Sequence, residues 1–217
     1  MRSISLRSIL GLVAALGLAL PAEAHFLWLS LRGEAERAVV LHFSEGRFDD
    51  TAPFLNPTLT KASLFHERDA LLPTTEGSGY SCPVEPSVTL AGSSMTYGLF
   101  ERGGPPALLR YDAKGARDLA AAGRGMNLPF EIFARRDGED LVLTVMHVGE
   151  PLPESEVVVV QDGTLHGGEF QTDAKGEVRM PFPASPVFAA RARYVDPTKT
   201  GTHDGKPYER LVRYSTL

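Results

Sequence analysis

Phe130-Glu-Ile-Phe-Ala-Arg135, Arg136-Asp137-Gly138-Glu139-Asp140 and Leu141-Val-Leu-Thr-Val-Met-His-Val148 form two apolar-rich runs separated by an Asp-Gly turn. Runs of this length, with side chains of alternating polarity and a turn dipeptide between them, are the local signature of paired antiparallel strands. The pattern continues downstream. Val157 to Gln161, a turn at Asp162-Gly163, Glu169 to Thr172, Glu177 to Met180, Val187 to Tyr194 and Tyr208 to Tyr214 bring the half to about seven short strands at sandwich spacing. Upstream, Phe26 to Leu31 and Ala38 to Phe43 read as the first strands, joined by Arg32-Gly33-Glu34. Ser63 to Phe65, Ser87 to Leu90, Met95 to Phe100 and Ala107 to Tyr111 are shorter candidates. No long stretch sustains a helical period. The expected fold class is all-β: two immunoglobulin-like or pre-albumin-like β-sandwich modules following a cleaved signal peptide.

Residues 1–24 carry the three parts of a secretory leader. Arg2 and Arg7 supply positive charge, Ile9 to Leu20 an apolar stretch, and Ala22 and Ala24 the small residues of a peptidase site. The apolar stretch falls short of the roughly 20 residues that span a bilayer, so cleavage is expected rather than anchoring. Removing 24 of 217 residues leaves 193, enough for sizeable cores. The composition break at Lys114 to Arg124, alanine-rich between glycines and compatible with a helical turn or two, divides this remainder. The expected modules are 25–125 and 126–217.

The full chain has a formal net charge of -5, and losing Arg2, Arg7 and Glu23 with the leader makes it -6. That balance offers no attraction to nucleic acid or anionic membrane. Cys82 is the single cysteine, so no intrachain disulfide forms, and beside Pro83 it reads as a half-buried thiol in a turn-rich segment.

Cleavage after Ala24 would make His25 the first residue. An N-terminal histidine presents an α-amine and an imidazole together, two nitrogens that can close one chelate ring on Cu(II), Ni(II), Co(II) or Zn(II). The amine's ordinary pKa of about 7.7–8.0 makes its proton easy to displace near neutrality, so binding should weaken in mild acid. Further ligands are needed, and His42, Glu45 and His203 are the candidates: the first two close the second strand, and the third sits in Thr202-His203-Asp204-Gly205. The ordinary alternatives are a frayed terminus for His25, a solvent-face histidine on a half-exposed strand for His42, and a solvated loop histidine for His203. His66 precedes Glu67, but Ala70 stands where a zinc-peptidase helix needs its second histidine. His147 ends a buried face, and His166 falls in a hairpin loop.

Two resemblances add to this reading. Gly149-Glu-Pro-Leu-Pro153 to Val157, followed by Thr172-Asp-Ala-Lys-Gly-Glu-Val178, resembles pre-albumin-like or collagen-adhesin B-type repeat domains, which speaks for fold and not activity. Ala24-His25-Phe26, Val40-Leu-His-Phe-Ser-Glu45, Tyr97-Gly-Leu-Phe-Glu-Arg-Gly103 and Gly205-Lys-Pro-Tyr-Glu-Arg210 with Tyr214-Ser-Thr-Leu217 resemble a bacterial exported domain-of-unknown-function family of periplasmic, nickel-uptake-associated (NikM/NikK-like) proteins. That resemblance covers nearly all of 25–217. It implies a periplasmic protein with a metal-binding N-terminal histidine, a divalent transition ion (nickel, cobalt or copper) as its partner, and a membrane metal transporter downstream. Tyr194 and Arg213 stand where the resemblance implies histidines.

No nucleophile elbow, phosphate loop or Gly-rich dinucleotide motif occurs, so the expectation is a binding protein and not an enzyme. Two alternatives stay open: a structural or adhesive sandwich without metal, and a copper oxygenase using a histidine brace.

Overall fold

A computed structural model describes residues 25–34, 37–44, 57–76, 79–101, 104–161, 164–185 and 187–217. The leader, Glu45 and the Asp162-Gly163 turn lie outside the described residues. The fold class is all-β, with sheets packed face to face as in a sandwich. No helix among the described residues is long and apolar enough to cross a membrane.

A central sheet of eight strands runs β13 (Thr164–Gln171), β12 (Glu156–Gln161), β15 (Phe188–Asp196), β18 (Arg210–Thr216), β8 (Ala107–Ala116), β7 (Leu90–Phe100), β3 (Ser63–His66) and β4 (Asp69–Ala70). Its neighbours are antiparallel except β8 and β18, which pair in parallel from Ala107↔Arg210 to Ala113↔Thr216. That pair joins strands from the two halves of the chain into one sheet.

Each face of this sheet carries its own layer. On the front lie β1 (Phe26–Arg32), β2 (Ala38–Ser44), β6 (Gly79–Pro83) and β5 (Thr74–Glu76), hydrogen-bonded in that order. On the rear, β9 (Phe130–Asp137) and β10 (Asp140–His147) form the hairpin read from the Asp-Gly turn, flanked by β14 (Glu177–Pro181) and β11 (Glu150–Pro151). Alternation along a strand sends successive side chains to opposite faces. Thus Leu109, Tyr111 and Val212 join Phe26, Trp28, Leu41 and Phe43 in the front core. Val157, Val159, Ala190 and Ala192 join Phe130, Ile132, Leu141 and Val145 in the rear core.

The front layer sits close. A Cβ on Gly115 would come within 2.9 Å of Leu29 O and would strike the Leu29 side chain, so glycine is what lets β1 cross β8 there. Beside this crossing Thr216 Oγ1 donates to Leu27 O at 2.6 Å, and Trp28 Nε1 donates to Ser44 O at 3.1 Å. β16 (Gly201–His203) and β17 (Lys206–Tyr208) make a separate two-stranded hairpin.

A short helix, α1 (Leu119–Ala122), occupies the alanine-rich stretch, capped by Asp118 Oδ1 accepting from Ala121 N at 2.7 Å. Several local expectations differ from the structure. Residues 87–89 are not strand, and β7 instead begins at Leu90. Cys82 is buried within β6 rather than half-buried in a turn, as the Cα partner of Val39. His166 lies within β13 rather than in a loop.

Candidate functional site

β1 leads His25 onto the front layer's edge, where its ring stacks on Phe43 with centroids 5.8 Å apart. Phe43 in turn stacks on Tyr97 at 5.7 Å and meets Tyr111 edge-on at 5.2 Å. Tyr111 stacks on Tyr214 at 5.1 Å, and Phe26 closes the row edge-on to Tyr214 at 5.3 Å. Register explains the tyrosine row. Tyr111 is the Cα partner of Tyr214 on β18 and of Met95 on β7, while a bulge between Thr96 and Gly98 inserts Tyr97 as an unpaired residue. Desolvation, reinforced by the neighbouring Tyr214 and Tyr97, pushes the Tyr111 phenol well above its ordinary pKa, so it stays neutral.

These rings line a front cavity of about 570 Å³ that also contains His25. Its far wall is cationic. Arg193 continues the row as the partner of Tyr214 and pairs with Glu156 at 3.7 Å; Arg191 lies 4.4 Å over the Phe26 ring; Arg210 completes the wall. Among the described residues, three guanidiniums face one carboxylate there.

A second cavity of about 470 Å³ opens on the rear face of the same sheet. Thr96, Arg110 and Arg213 form one cross-strand row, and Ser94, Asp112 and Ser215 the next. Asp112, only 3 % exposed, accepts from the Ser94 hydroxyl and lies 3.6 Å from Arg213 Nη1. Burial raises the Asp112 carboxyl to about 6, against the pull of Ser94, Arg213, the Phe130 peptide N–H and Arg110. Lys61, Asp204 and His203 approach from the rim, His203 Nε2 lying 3.5 Å from Asp204 Oδ2.

The candidate ligands are therefore dispersed. His25 lines the front cavity and His203 the rear one. His42 is 6 % exposed on β2 as the Cα partner of Trp28, not on a solvent face, and it lines neither cavity. Glu45 lies outside the described residues. Among those residues no three His, Cys, Asp or Glu side chains are grouped to hold an ion. Tyr194 and Arg213 are Cα partners on the rear face, with Tyr194 4.9 Å from the His147 ring. Desolvation, and secondarily Arg213, lower the His147 pKa.

No known family's sequence profile matches this chain, and no curated protein matches it. Among solved structures, native alpha-2-macroglobulin from Escherichia coli, spanning domains NIE-MG1, is 10 % identical, with 89 % of this chain and 96 % of that one covered at a TM-score of 0.29.

Arg191, Arg193, Arg210 and Asp112 are not singled out by the sequence, and Arg213 only as a position where the resemblance implies a histidine. The available signal was the β8 pattern Leu108-Leu-Arg-Tyr-Asp-Ala-Lys114, in which charge alternates with apolar side chains. Such alternation ordinarily marks a solvent face; here Arg110 stays exposed, while Asp112 and Lys114 on the same face are buried.

Proposed function

We propose that this chain is an exported binding protein for a divalent transition ion, nickel, cobalt or copper, held at the front cavity by His25 and passed on to a transporter or stored. The observation that carries this reading is the seating of His25. Its imidazole rests on Phe43 at the start of a strand fastened by the Thr216 and Trp28 hydrogen bonds. An amine released there by cleavage after Ala24 would be held in place beside its imidazole instead of fraying. Two nitrogens from one residue fit a borderline ion.

The rest of the wall favours a particular form of cargo. Arg191, Arg193 and Arg210 against Glu156 leave an excess of positive charge that disfavours a bare dication. Guanidiniums do match carboxylates. The ion is therefore best accommodated with anionic carboxylate ligands that complete its coordination and face the arginines, while its apolar parts lie on the tyrosine row.

Calorimetric titration of protein whose first residue is confirmed by mass spectrometry as His25 tests this, using Ni(II), Co(II), Cu(II) and Zn(II) as chlorides and as citrate complexes. Binding abolished by one extra N-terminal alanine supports the clasp, and binding indifferent to that extension refutes it. Peroxide-dependent turnover by the copper form would favour the oxygenase instead, and absence of any binding the adhesive module.

A further inference from the structure

The rear cavity has a chemistry of its own, separate from the front reading. Arg110 and Arg213 are Cα partners on adjacent parallel strands, which lie about 4.8 Å apart, and like charges placed opposite one another are unfavourable without an anion between them. Arg213 pairs with Asp112, whereas Arg110 makes no ion pair among the described residues. Lys61 adds a third cation, its Nζ donating to Tyr97 O at 3.4 Å. Beneath them Asp112 has one oxygen taken up by Ser94, while the other, Oδ2, lies 3.6 Å from Arg213 Nη1 and accepts no hydrogen bond of ordinary geometry, the Phe130 peptide N–H acting on the carboxyl from beyond that range; Arg213 Nε is likewise without a hydrogen bond. Both residues are more than nine-tenths buried and line the cavity. Buried polar atoms of this kind ordinarily have partners.

We propose that this cavity binds free monohydrogen phosphate. Arg110, Arg213 and Lys61 supply charge-assisted donors to its oxygens, and Asp112 Oδ2 accepts the proton that the ion carries on its remaining oxygen. A fully deprotonated tetrahedral anion meets that carboxylate lone pair to lone pair. Sulfate and the dianion of a phosphate monoester are thus excluded by the same residue that admits phosphate. His203, on the rim, can donate a further hydrogen bond.

Titration calorimetry on the full chain at constant ionic strength, near pH 7.5, compares inorganic phosphate, sulfate and glycerol phosphate. Phosphate is expected to bind with sulfate and the ester at least about tenfold weaker, the scale of discrimination that an unsatisfied buried polar contact produces. Arg110→Gln, at an exposed position, should lower phosphate affinity by about tenfold. Asp112→Asn should bring sulfate to within about threefold of phosphate, because an amide can donate to the oxygen that a carboxylate repels. Should Asp112→Asn not fold, sulfate binding by the wild-type chain gives the readout: sulfate keeps its charge between about pH 7.5 and pH 5, so protonation of Asp112 should tighten it as pH falls. The groups facing that carboxyl are Ser94 on β7, Arg110 on β8, Arg213 on β18 and the Phe130 peptide on β9. Lys61, His203 and Asp204 line the same cavity. Lys114 follows on β8, already paired with Glu131. No saturable phosphate binding, equal affinity for phosphate and sulfate near pH 7.5, or an Arg110→Gln variant that binds phosphate as tightly as wild type would each overturn the proposal.

Discussion

Lys114 Nζ lies 3.0 Å from Glu131 Oε1, and the two side chains are 0 % and 4 % exposed between the central sheet and the rear layer. The pair is fully occupied. Lys114 also donates to Ala122 O and Arg124 O at 3.1 Å each, and Glu131 Oε1 accepts from Met126 N at 2.8 Å. It therefore fastens the end of α1 and the segment after it, the connection between the two halves of the chain. Desolvation lowers the Lys114 pKa, and the adjacent carboxylate opposes that shift.

Removing one partner strands a buried charge. Lys114→Met should cost about 3–5 kcal/mol of stability, the usual scale for breaking a buried pair from one side. Lys114→Met with Glu131→Gln should recover part of that loss, since the amide oxygen still accepts from Met126. Urea unfolding of the two variants gives the comparison, and a double variant no more stable than the single one would contradict it.

The Gly115 crossing makes a steric prediction. Gly115→Ala places a methyl group against Leu29 O, which belongs to paired backbone and yields little. A loss of about 1–3 kcal/mol is expected, as for overpacking elsewhere. Gly138→Ala is a control of a different kind, with φ +63° but nothing near the added carbon; its cost, about 1 kcal/mol, comes from backbone strain alone. Thermal melts of the two variants should therefore separate, with Gly115→Ala the lower.

How much of this architecture could be read in advance depended on how local its cause is. The β9–β10 hairpin and β1–β2 are written in alternation and turn residues, and they were legible. The parallel pairing of β8 with β18 is not, because nothing near Ala107 signals a partner a hundred residues on. From that pairing come both the Tyr111–Tyr214 stack and the Arg110–Arg213 row, so neither cavity could be assembled from sequence. His42 illustrates the same limit: alternation correctly set it opposite Val39 and Leu41, but which of a strand's two faces meets water is decided by packing. β6 was missed because Gly79 and Pro83 at its ends look like loop.

Asp112 should make stability fall as pH rises. Its folded pKa of about 6 exceeds the ordinary 3.8, so between those values the folded state binds the proton that the unfolded state has released. By linkage, stability declines as pH rises through that window; the penalty is absent below it and fully present above about pH 6, on the order of 3 kcal/mol at most. Asp137, Asp173 and Asp196 are shifted downward and act oppositely in acid, so the comparison must be with Asp112→Asn. Relative to wild type, that variant should gain stability progressively from about pH 4 to pH 7. A difference that is flat across this range would show that Asp112 does not titrate as described.

The arginine wall supplies a prediction for the front cavity that separates cargo form from cargo identity. Arg210 lines that cavity with Nε buried and unbonded, and it is not paired with Glu156 as Arg193 is. Arg210→Gln removes positive charge without touching His25. If the ion enters with anionic carboxylate ligands, the variant should bind nickel citrate about five- to tenfold more weakly, a loss of about 1–1.4 kcal/mol. Binding of nickel offered as chloride should be unchanged or slightly tighter, because a like charge has gone. The wild-type advantage for the citrate complex should also shrink as salt is raised, since this wall is open to solvent and screened. Equal loss for both forms of nickel would instead mean that Arg210 shapes the cavity and reads no charge.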